Sequence, residues 1–154
     1  MKKFIFTSAI FLSLTVSTGF AAPINSLDQN QTAAGVVDDS FYIEHKFSDN
    51  FTLGVQKNDI YGEIELGRNV RAIIGSRNDN SDSSFYAGGA LNASIAPNVE
   101  GYVSLVGGNH FSEMQLGANI AIAPNVDLNA NYRSFMPDSG SDSNRTTIGA
   151  TVKF

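Results

Sequence analysis

The alternation of apolar and polar residues is clearest at the C-terminal end of the chain. Over residues 147–154 it places two sets on opposite faces of one segment, Ile148, Ala150, Val152 and Phe154 against Thr147, Gly149, Thr151 and Lys153. A period of two predicts a β-strand that runs to the last residue. An uncovered amphipathic edge strand promotes aggregation in water, whereas in a closed barrel the last strand pairs with the first. The pattern therefore predicts a barrel.

A short turn recurs four times along the chain. Each copy has an apolar residue, two small or turn-forming residues, an Asn and a second apolar residue, at 47–51, 66–70, 95–99 and 122–126. Asn tolerates left-handed backbone and Pro fixes φ, so these segments predict tight reversals between strands. Longer or more polar reversals lie between them, at 37–40, 57–59, 78–83, 107–110 and 137–144. This alternation predicts an all-β, antiparallel, up-and-down transmembrane barrel of ten strands.

The predicted strands form one barrel domain, residues 32–154, but differ in length. They cover 32–37, 40–46, 51–57, 60–66, 70–77, 84–95, 99–107, 111–122, 127–136 and 145–154. A tilted strand that crosses a bilayer needs roughly 9 to 11 residues, and the first four predicted strands are shorter than that. A barrel of eight strands is therefore the alternative.

One phase of alternation holds through every turn. If the residues that flank the short turns point outward, the outward positions are almost wholly apolar and include Phe41, Ile43, Leu53, Ile60, Ile74, Phe85, Leu91, Val103, Leu116 and Leu128. The opposite face predicts a polar network in the lumen, formed by Glu44, Glu63, Glu65, Arg71, Arg77, Glu100, Glu113, Asp127, Arg133 and Lys153. Charges inside and aliphatic groups outside are typical of a membrane barrel and the reverse of a soluble one.

The first 31 residues predict export followed by a linker. Two lysines precede an apolar run over 4–16, and Gly19 and Ala21 suit cleavage after Ala21. The run is shorter than the roughly 18 residues that a spanning helix needs, so residues 1–21 predict a secretory signal peptide, with a membrane anchor as the weaker alternative. Residues 22–31 have few apolar positions and little periodicity, which predicts a mobile periplasmic lead-in.

Composition narrows the range of functions. The chain has 15 acidic and 10 basic side chains, without the clustered basic face that a nucleic-acid partner would require. It has no cysteine, so disulfides and thiolate metal sites are excluded. The two histidines, His45 and His110, fall at opposite ends of the predicted barrel, and no nucleotide-binding or HExxH motif is present. We expect no enzymatic activity, cofactor or metal; an outer-rim enzyme and a calcium site in the acidic loops are minor alternatives.

The C-terminal end also resembles the assembly signal of bacterial outer-membrane barrel proteins. Thr147 fills the polar position of that signal, Gly149 the glycine, Val152 the hydrophobic position and Phe154 the terminal aromatic. With the signal peptide and the inverted alternation, the chain is similar in plan to the OmpA membrane domain and OmpX, small outer-membrane barrels of Gram-negative bacteria. The resemblance implies an outer-membrane location with both termini periplasmic. Its implied partners are outer-membrane lipid, lipopolysaccharide and the barrel-assembly machinery.

The predicted lumen is compatible with two functions. A narrow barrel must pair its inward charges, because an isolated buried charge is costly. Barrels of about eight strands are filled by side chains, whereas aqueous channels appear at about 16 strands. We therefore expect a monomeric barrel with a largely filled lumen and a structural or cell-surface interaction role, whose surface partner the sequence does not identify. The alternative is a narrow porin-like channel for ions or small solutes.

Overall fold

Ten segments with a period of two pair into a single closed sheet. The computed structural model describes residues 22–79 and 82–154, with the backbone alone at Asp79. Its strands are β1 (Thr32–Val37), β2 (Ser40–Ser48), β3 (Phe51–Gln56), β4 (Asp59–Gly67), β5 (Val70–Asp79), β6 (Asp82–Ala96), β7 (Val99–Gly108), β8 (Phe111–Ala123), β9 (Val126–Pro137) and β10 (Ser143–Lys153). Each strand pairs antiparallel with its chain neighbours, and β1 pairs with β10. The predicted fold class and the count of ten strands, rather than eight, are confirmed.

The barrel has two unlike ends. The four recurring turns lie at one end, called the turn end, together with Thr32 and Phe154; the other five reversals lie at the loop end. Two backbone hydrogen bonds between Thr32 and Phe154, of 2.8 and 2.9 Å, close the ladder at the turn end. The described residues contain no helix that is long and apolar enough to cross a membrane. The predicted signal peptide, residues 1–21, lies outside the described residues.

Each recurring turn is preceded by a β-bulge. The strand register shifts across the apolar residue that opens the turn, so that this residue is the extra one and its side chain is exposed; the four residues are Phe47, Leu66, Ile95 and Ile122. The carbonyl of each turn asparagine then accepts a hydrogen bond from the strand after next, as Asn50 does from the Glu65 amide at 2.8 Å. The left-handed backbone expected at these asparagines occurs only at Asn98, with φ of 64°. Through this carbonyl, each turn is hydrogen-bonded to the neighbouring hairpin.

The outer surface of the barrel is apolar. The side chains predicted to point outward are exposed to different degrees, and none of them is buried; Leu116 is 55% exposed and Phe85 67%. The polar residues between them are buried, as Gln115 is beside Leu116. Alternation thus gives this barrel the reverse of a soluble protein's distribution of polar and apolar surface.

Four tyrosines fill the lumen by packing on glycines of adjacent strands. Each buried ring lies over the glycine that is its direct register partner: Tyr42 over Gly35, Tyr61 over Gly54, Tyr86 over Gly75 and Tyr102 over Gly117. A Cβ atom at any of these glycines would overlap the ring. The absence of a side chain at these four positions therefore makes room for large aromatic groups inside a narrow barrel.

The segment before β1 lies inside the barrel. Residues 22–27 enter the lumen from the turn end, and Ala22, Ile24, Asn25 and Leu27 are all buried. Only residues 28–30 are exposed. The predicted periplasmic lead-in is therefore wrong in its location. The alternation of apolar and polar residues carries no signal here, because this segment is not a strand.

Candidate functional site

The loop-end half of the lumen holds a buried network of ion pairs. Arg77 donates to Asp59 at 2.9 Å and to Glu113 at 2.8 Å, and Arg133 donates to the same Glu113 oxygen at 2.6 Å. The four side chains come from β4, β5, β8 and β9 and are nearly inaccessible to solvent. A carboxylate shared by two guanidiniums fixes the relative positions of distant strands, because removing one partner would leave a buried charge uncompensated.

Aromatic rings pack against the guanidinium groups of this network. The Arg77 guanidinium lies 4.9 Å from the centroid of the Phe111 ring, and that of Arg133 lies 5.0 Å from the Phe135 ring. Phe111 and Phe135 stack with centroids 5.3 Å apart. The rings therefore form an apolar layer over the cations near the loop end, and cation–π attraction adds to the ion pairs.

A second network lies nearer the turn end. Arg71 pairs with Glu63 at 2.8 Å and with Glu65 at 3.7 Å, and Lys46 pairs with Glu65 at 2.9 Å. Arg71 and Lys46 each also donate to a backbone carbonyl of the amino-terminal segment. This network thus links β2, β4 and β5 to the segment in the lumen.

Glu44 differs from the other buried carboxylates in that its hydrogen-bond donors are all neutral. Asn25 donates to one of its oxygens at 2.8 Å and the Tyr61 hydroxyl to the other at 2.9 Å. Its exposed fraction is 2%. Among the described residues no basic side chain forms an ion pair with it, so its charge is compensated only by dipoles and by cations farther away.

The amino-terminal segment is held as a plug, defined here as residues 22–28. Three of its carbonyls accept hydrogen bonds from the barrel wall: Ile24 from Asn119 at 2.7 Å, Asn25 from Arg71 at 2.7 Å, and Leu27 from Lys46 at 3.0 Å. Its side chains also bind the wall, since Ser26 donates to Glu100 at 2.5 Å. The lumen therefore binds the plug as it would an extended peptide, through the backbone.

A small cavity remains between the plug and the loop-end network. Its volume is about 30 Å³, and its lining includes Ala22, Gln56, Asp59, Glu63 and Glu113. Both polar atoms of the Gln56 amide are buried and have no hydrogen-bond partner. The volume suits about two water molecules, and the polar lining would hold them.

The other members of the predicted polar network lie at the turn-end rim. Lys153 pairs with Asp127 at 2.7 Å, and Glu100 accepts from Asn92 and Ser26. The structure thus brings all ten predicted residues to the inner side of the barrel, nine of them in three groups and Glu44 apart from these. The lumen also contains residues that were not predicted as site residues: Asn25, Asp59 and the four tyrosines. The phase of alternation signals Asp59 and the tyrosines, since each precedes or follows an outward residue, whereas nothing in the sequence signals Asn25.

The residues of the predicted assembly signal close the barrel. Thr147 is buried on the inner face, and Val152 and Phe154 are exposed on the outer one. Gly149 pairs with Val37 of β1, and a Cβ atom there would overlap the backbone of β1. In this structure the glycine of the signal is needed for close pairing between the first and last strands.

The two histidines lie at opposite ends of the described barrel. His45 lies near the turn end, where its ring nitrogen Nδ1 is 2.8 Å from the Thr32 hydroxyl, and His110 lies at the loop end beside β8. Within residues 22–79 and 82–154 there is no cluster of three or more His, Asp or Glu side chains arranged to hold a metal ion. The site that the fold builds is the charged, plugged lumen.

Comparison with known proteins gives similarity in structure only. No family model matches the chain, and no curated protein does. The structure is similar to a de novo designed transmembrane β-barrel, with 16% identity, a TM-score of 0.45 and coverage of 83% of this chain and 98% of the other. It is also similar to the N-terminal β-barrel domain of Pseudomonas aeruginosa OprF, with 12% identity, a TM-score of 0.37 and coverage of 82% and 98%. The closed barrel described above has the plan that the sequence resemblance predicted.

Proposed function

We propose that this chain is a small bacterial outer-membrane barrel protein with a structural or cell-surface interaction role. The observation that carries the proposal is the inversion of the barrel: an apolar outer face and a charged, hydrogen-bonded lumen on one closed sheet. An apolar surface of this extent is unfavourable in water and matches the acyl chains of a bilayer. Closure of the sheet satisfies every strand edge, which a lipid environment requires.

The structural role rests on how the lumen is filled. An ion pair joins β5 to the non-adjacent strand β8, and the plug is hydrogen-bonded to the same two strands. The loop end then carries the solvated acidic reversals, where Asp38 pairs with Arg145 at 2.9 Å. In the proposal the loop end faces outward and meets a surface partner, while both termini are periplasmic. The barrel is a monomer, with lipid, lipopolysaccharide and the assembly machinery as its partners.

A narrow channel remains the second candidate because of one observation. The plug is not a strand of the barrel, and hydrogen bonds rather than sheet pairing hold it in the lumen. A segment held in this way is able to leave without unfolding the wall. Displacement of the plug would then give a path lined by Glu63, Arg71 and Glu113 for small ions or solutes.

The test is reconstitution of the protein without residues 1–21. We expect the chain to refold in detergent and lipid vesicles as a barrel whose gel mobility changes on heating, and to be silent in a planar bilayer. A chain that stays soluble and monomeric without detergent, and does not enter vesicles, would contradict the membrane proposal. Stable single-channel steps from the intact protein would favour the channel over the filled barrel.

A further inference from the structure

The amino-terminal end of the plug lies deep in the lumen, next to carboxylates. Ala22 is 8% exposed and borders the 30 Å³ cavity that Asp59, Glu63 and Glu113 also line. Each of these carboxylates is paired with an arginine, and Arg77 is the one of those arginines that also lines the cavity. Gln56 presents a carbonyl oxygen there that has no donor. The surroundings of Ala22 thus offer hydrogen-bond acceptors, among them carboxylate oxygens, to a donor at this position.

Among the buried carboxylates of the described residues, one has no ion-pair partner. Asp59, Glu63 and Glu113 each pair with an arginine, and Asp127 pairs with the partly buried Lys153. Glu44 is the carboxylate without an ion-pair partner among them. Tyr61 lines the cavity and donates to Glu44, so a positive group in the cavity would lie close enough to help compensate this carboxylate.

We propose that cleavage after Ala21 creates the ligand of this site: the α-ammonium of Ala22, bound among Asp59, Glu63, Glu113 and Gln56. The inference rests on the proposed function, since it needs an exported chain. A signal peptidase and one water molecule break the bond between the Ala21 carbonyl carbon and the Ala22 nitrogen. The hydroxyl group joins Ala21, and the freed amine takes a proton near neutral pH. An uncleaved chain has a neutral amide at this position and supplies no charge.

The consequence is that processing and plugging are coupled. The three carbonyl contacts of the plug involve residues 24–27, so they form whether or not residues 1–21 have been removed. The charge contact at Ala22 is available only after cleavage. The plug is therefore bound more tightly in the lumen after cleavage than before it.

The experiment measures how fast an amine-reactive reagent modifies the α-amine of Ala22. Refolded protein that starts at Ala22 is labelled, and the amino-terminal peptide is quantified by mass spectrometry. The exposed Lys57 side chain at the loop end is the internal reference. Each rate is divided by the rate of the same amine in urea-unfolded protein. We expect labelling of Ala22 to be slowed about tenfold or more by folding, because the amine is exposed only when the plug opens, and labelling of Lys57 to be almost unchanged.

Variants separate the bound ammonium from simple burial. Asp59→Asn keeps the size of the side chain and removes one carboxylate of the site, so we expect it to speed labelling of Ala22. Asp38→Asn is the matched control, because its carboxylate is at the loop end and pairs with the exposed Arg145; it should change nothing. Equal labelling of Ala22 in both variants would overturn the proposed charge contact.

Failure of this inference is distinguishable from failure of the proposed function. Heat-modifiable mobility in lipid is recorded on each sample first. A folded barrel whose Ala22 amine reacts as fast as when unfolded overturns the inference and leaves the membrane proposal standing. Exported protein whose first residue is not Ala22 also overturns it. A chain that never inserts into lipid overturns the proposed function.

Discussion

At the scale of single residues, this barrel depends on pairs in which a tyrosine ring on one strand packs over a glycine on the next. Tyr102 lies over Gly117, its register partner on β8, and its hydroxyl donates to Asn131 on β9. The ring thus fills the space left by the glycine and joins three strands through one side chain. In the middle of the lumen, the ring provides the packing that an aliphatic side chain would give, and its hydroxyl satisfies a buried polar group.

Gly117→Ala should destabilise the barrel by about 1–3 kcal/mol, since the added methyl group would force the Tyr102 ring from its position. The measurement is urea unfolding of the protein in lipid vesicles. Gly107→Ala is the control, because Gly107 lies in a strand with no atom near the position of an added Cβ; its effect should be under about 0.5 kcal/mol. Equal losses in the two variants would show that the tyrosine–glycine pairs are not specific.

Glu113→Gln should cost about 3–5 kcal/mol, because it removes the anion that Arg77 and Arg133 share in a buried site. Asp38→Asn removes one anion from an exposed pair with Arg145 and should cost under about 1 kcal/mol. Chemical denaturation of both variants in the same lipid gives the comparison. A Glu113 variant as stable as the Asp38 variant would mean that the lumen network contributes little to stability.

The sequence predicted these residues only in part. The alternation of inward and outward positions placed Glu113, Arg77 and Arg133 on one face, because a period of two is a local property of each strand. Which of them pair depends on the register and curvature of β5, β8 and β9, and these are set by contacts far apart in the chain. The partners of Glu113 therefore became clear only in three dimensions.

At the scale of elements, the strands and turns were readable from the sequence and the plug was not. The recurring Asn turns and the alternation are repeated signals, each reinforced by the next hairpin. The plug has no repeat and no regular alternation, and Asn25 is buried because Glu44 and Arg71 bind it. A segment of this kind is interpreted as a linker, because a strand or helix is recognised by the periodicity of its apolar residues.

The depth of a strand residue in the bilayer should decide the cost of a charge on the outer face. Leu116 lies in the middle of β8 and Ile122 lies in the bulge at the turn end of the same strand. Leu116→Arg should cost about 2–4 kcal/mol and Ile122→Arg about 0–1 kcal/mol, because the penalty falls from the midplane to the interface. Unfolding free energies measured in vesicles provide the test. The same cost at both positions would be inconsistent with a bilayer around this strand.

The last strand allows its assembly role to be separated from its pairing role. Deletion of Phe154 removes the two backbone hydrogen bonds with Thr32 as well as the aromatic ring. Phe154→Ala removes the ring alone, which is 69% exposed and makes little contact within the barrel. We expect both variants to be exported but to insert poorly in cells, while Phe154→Ala refolds normally in detergent. Normal insertion of Phe154→Ala in cells would show that the ring is not a recognition element.

At the scale of the whole molecule, one closed sheet separates two environments. Apolar side chains lie outside, and a network of ion pairs, tyrosines and a tethered peptide lies inside. Most charged groups of the described lumen have partners within the chain, whereas the apolar outer face has none. The central claim is therefore that alternate residues of one strand meet lipid and lumen.

The most direct test uses the absence of tryptophan in this chain. A single tryptophan is introduced at Leu116, on the outer face, or at Tyr102, on the inner face of the neighbouring strand. Each folded variant is reconstituted in vesicles whose acyl chains carry bromine, which quenches indole fluorescence at short range. The account predicts strong quenching for Leu116→Trp and weak quenching for Tyr102→Trp. Unquenched Leu116→Trp in a folded barrel, or equal quenching of the two variants, would contradict it.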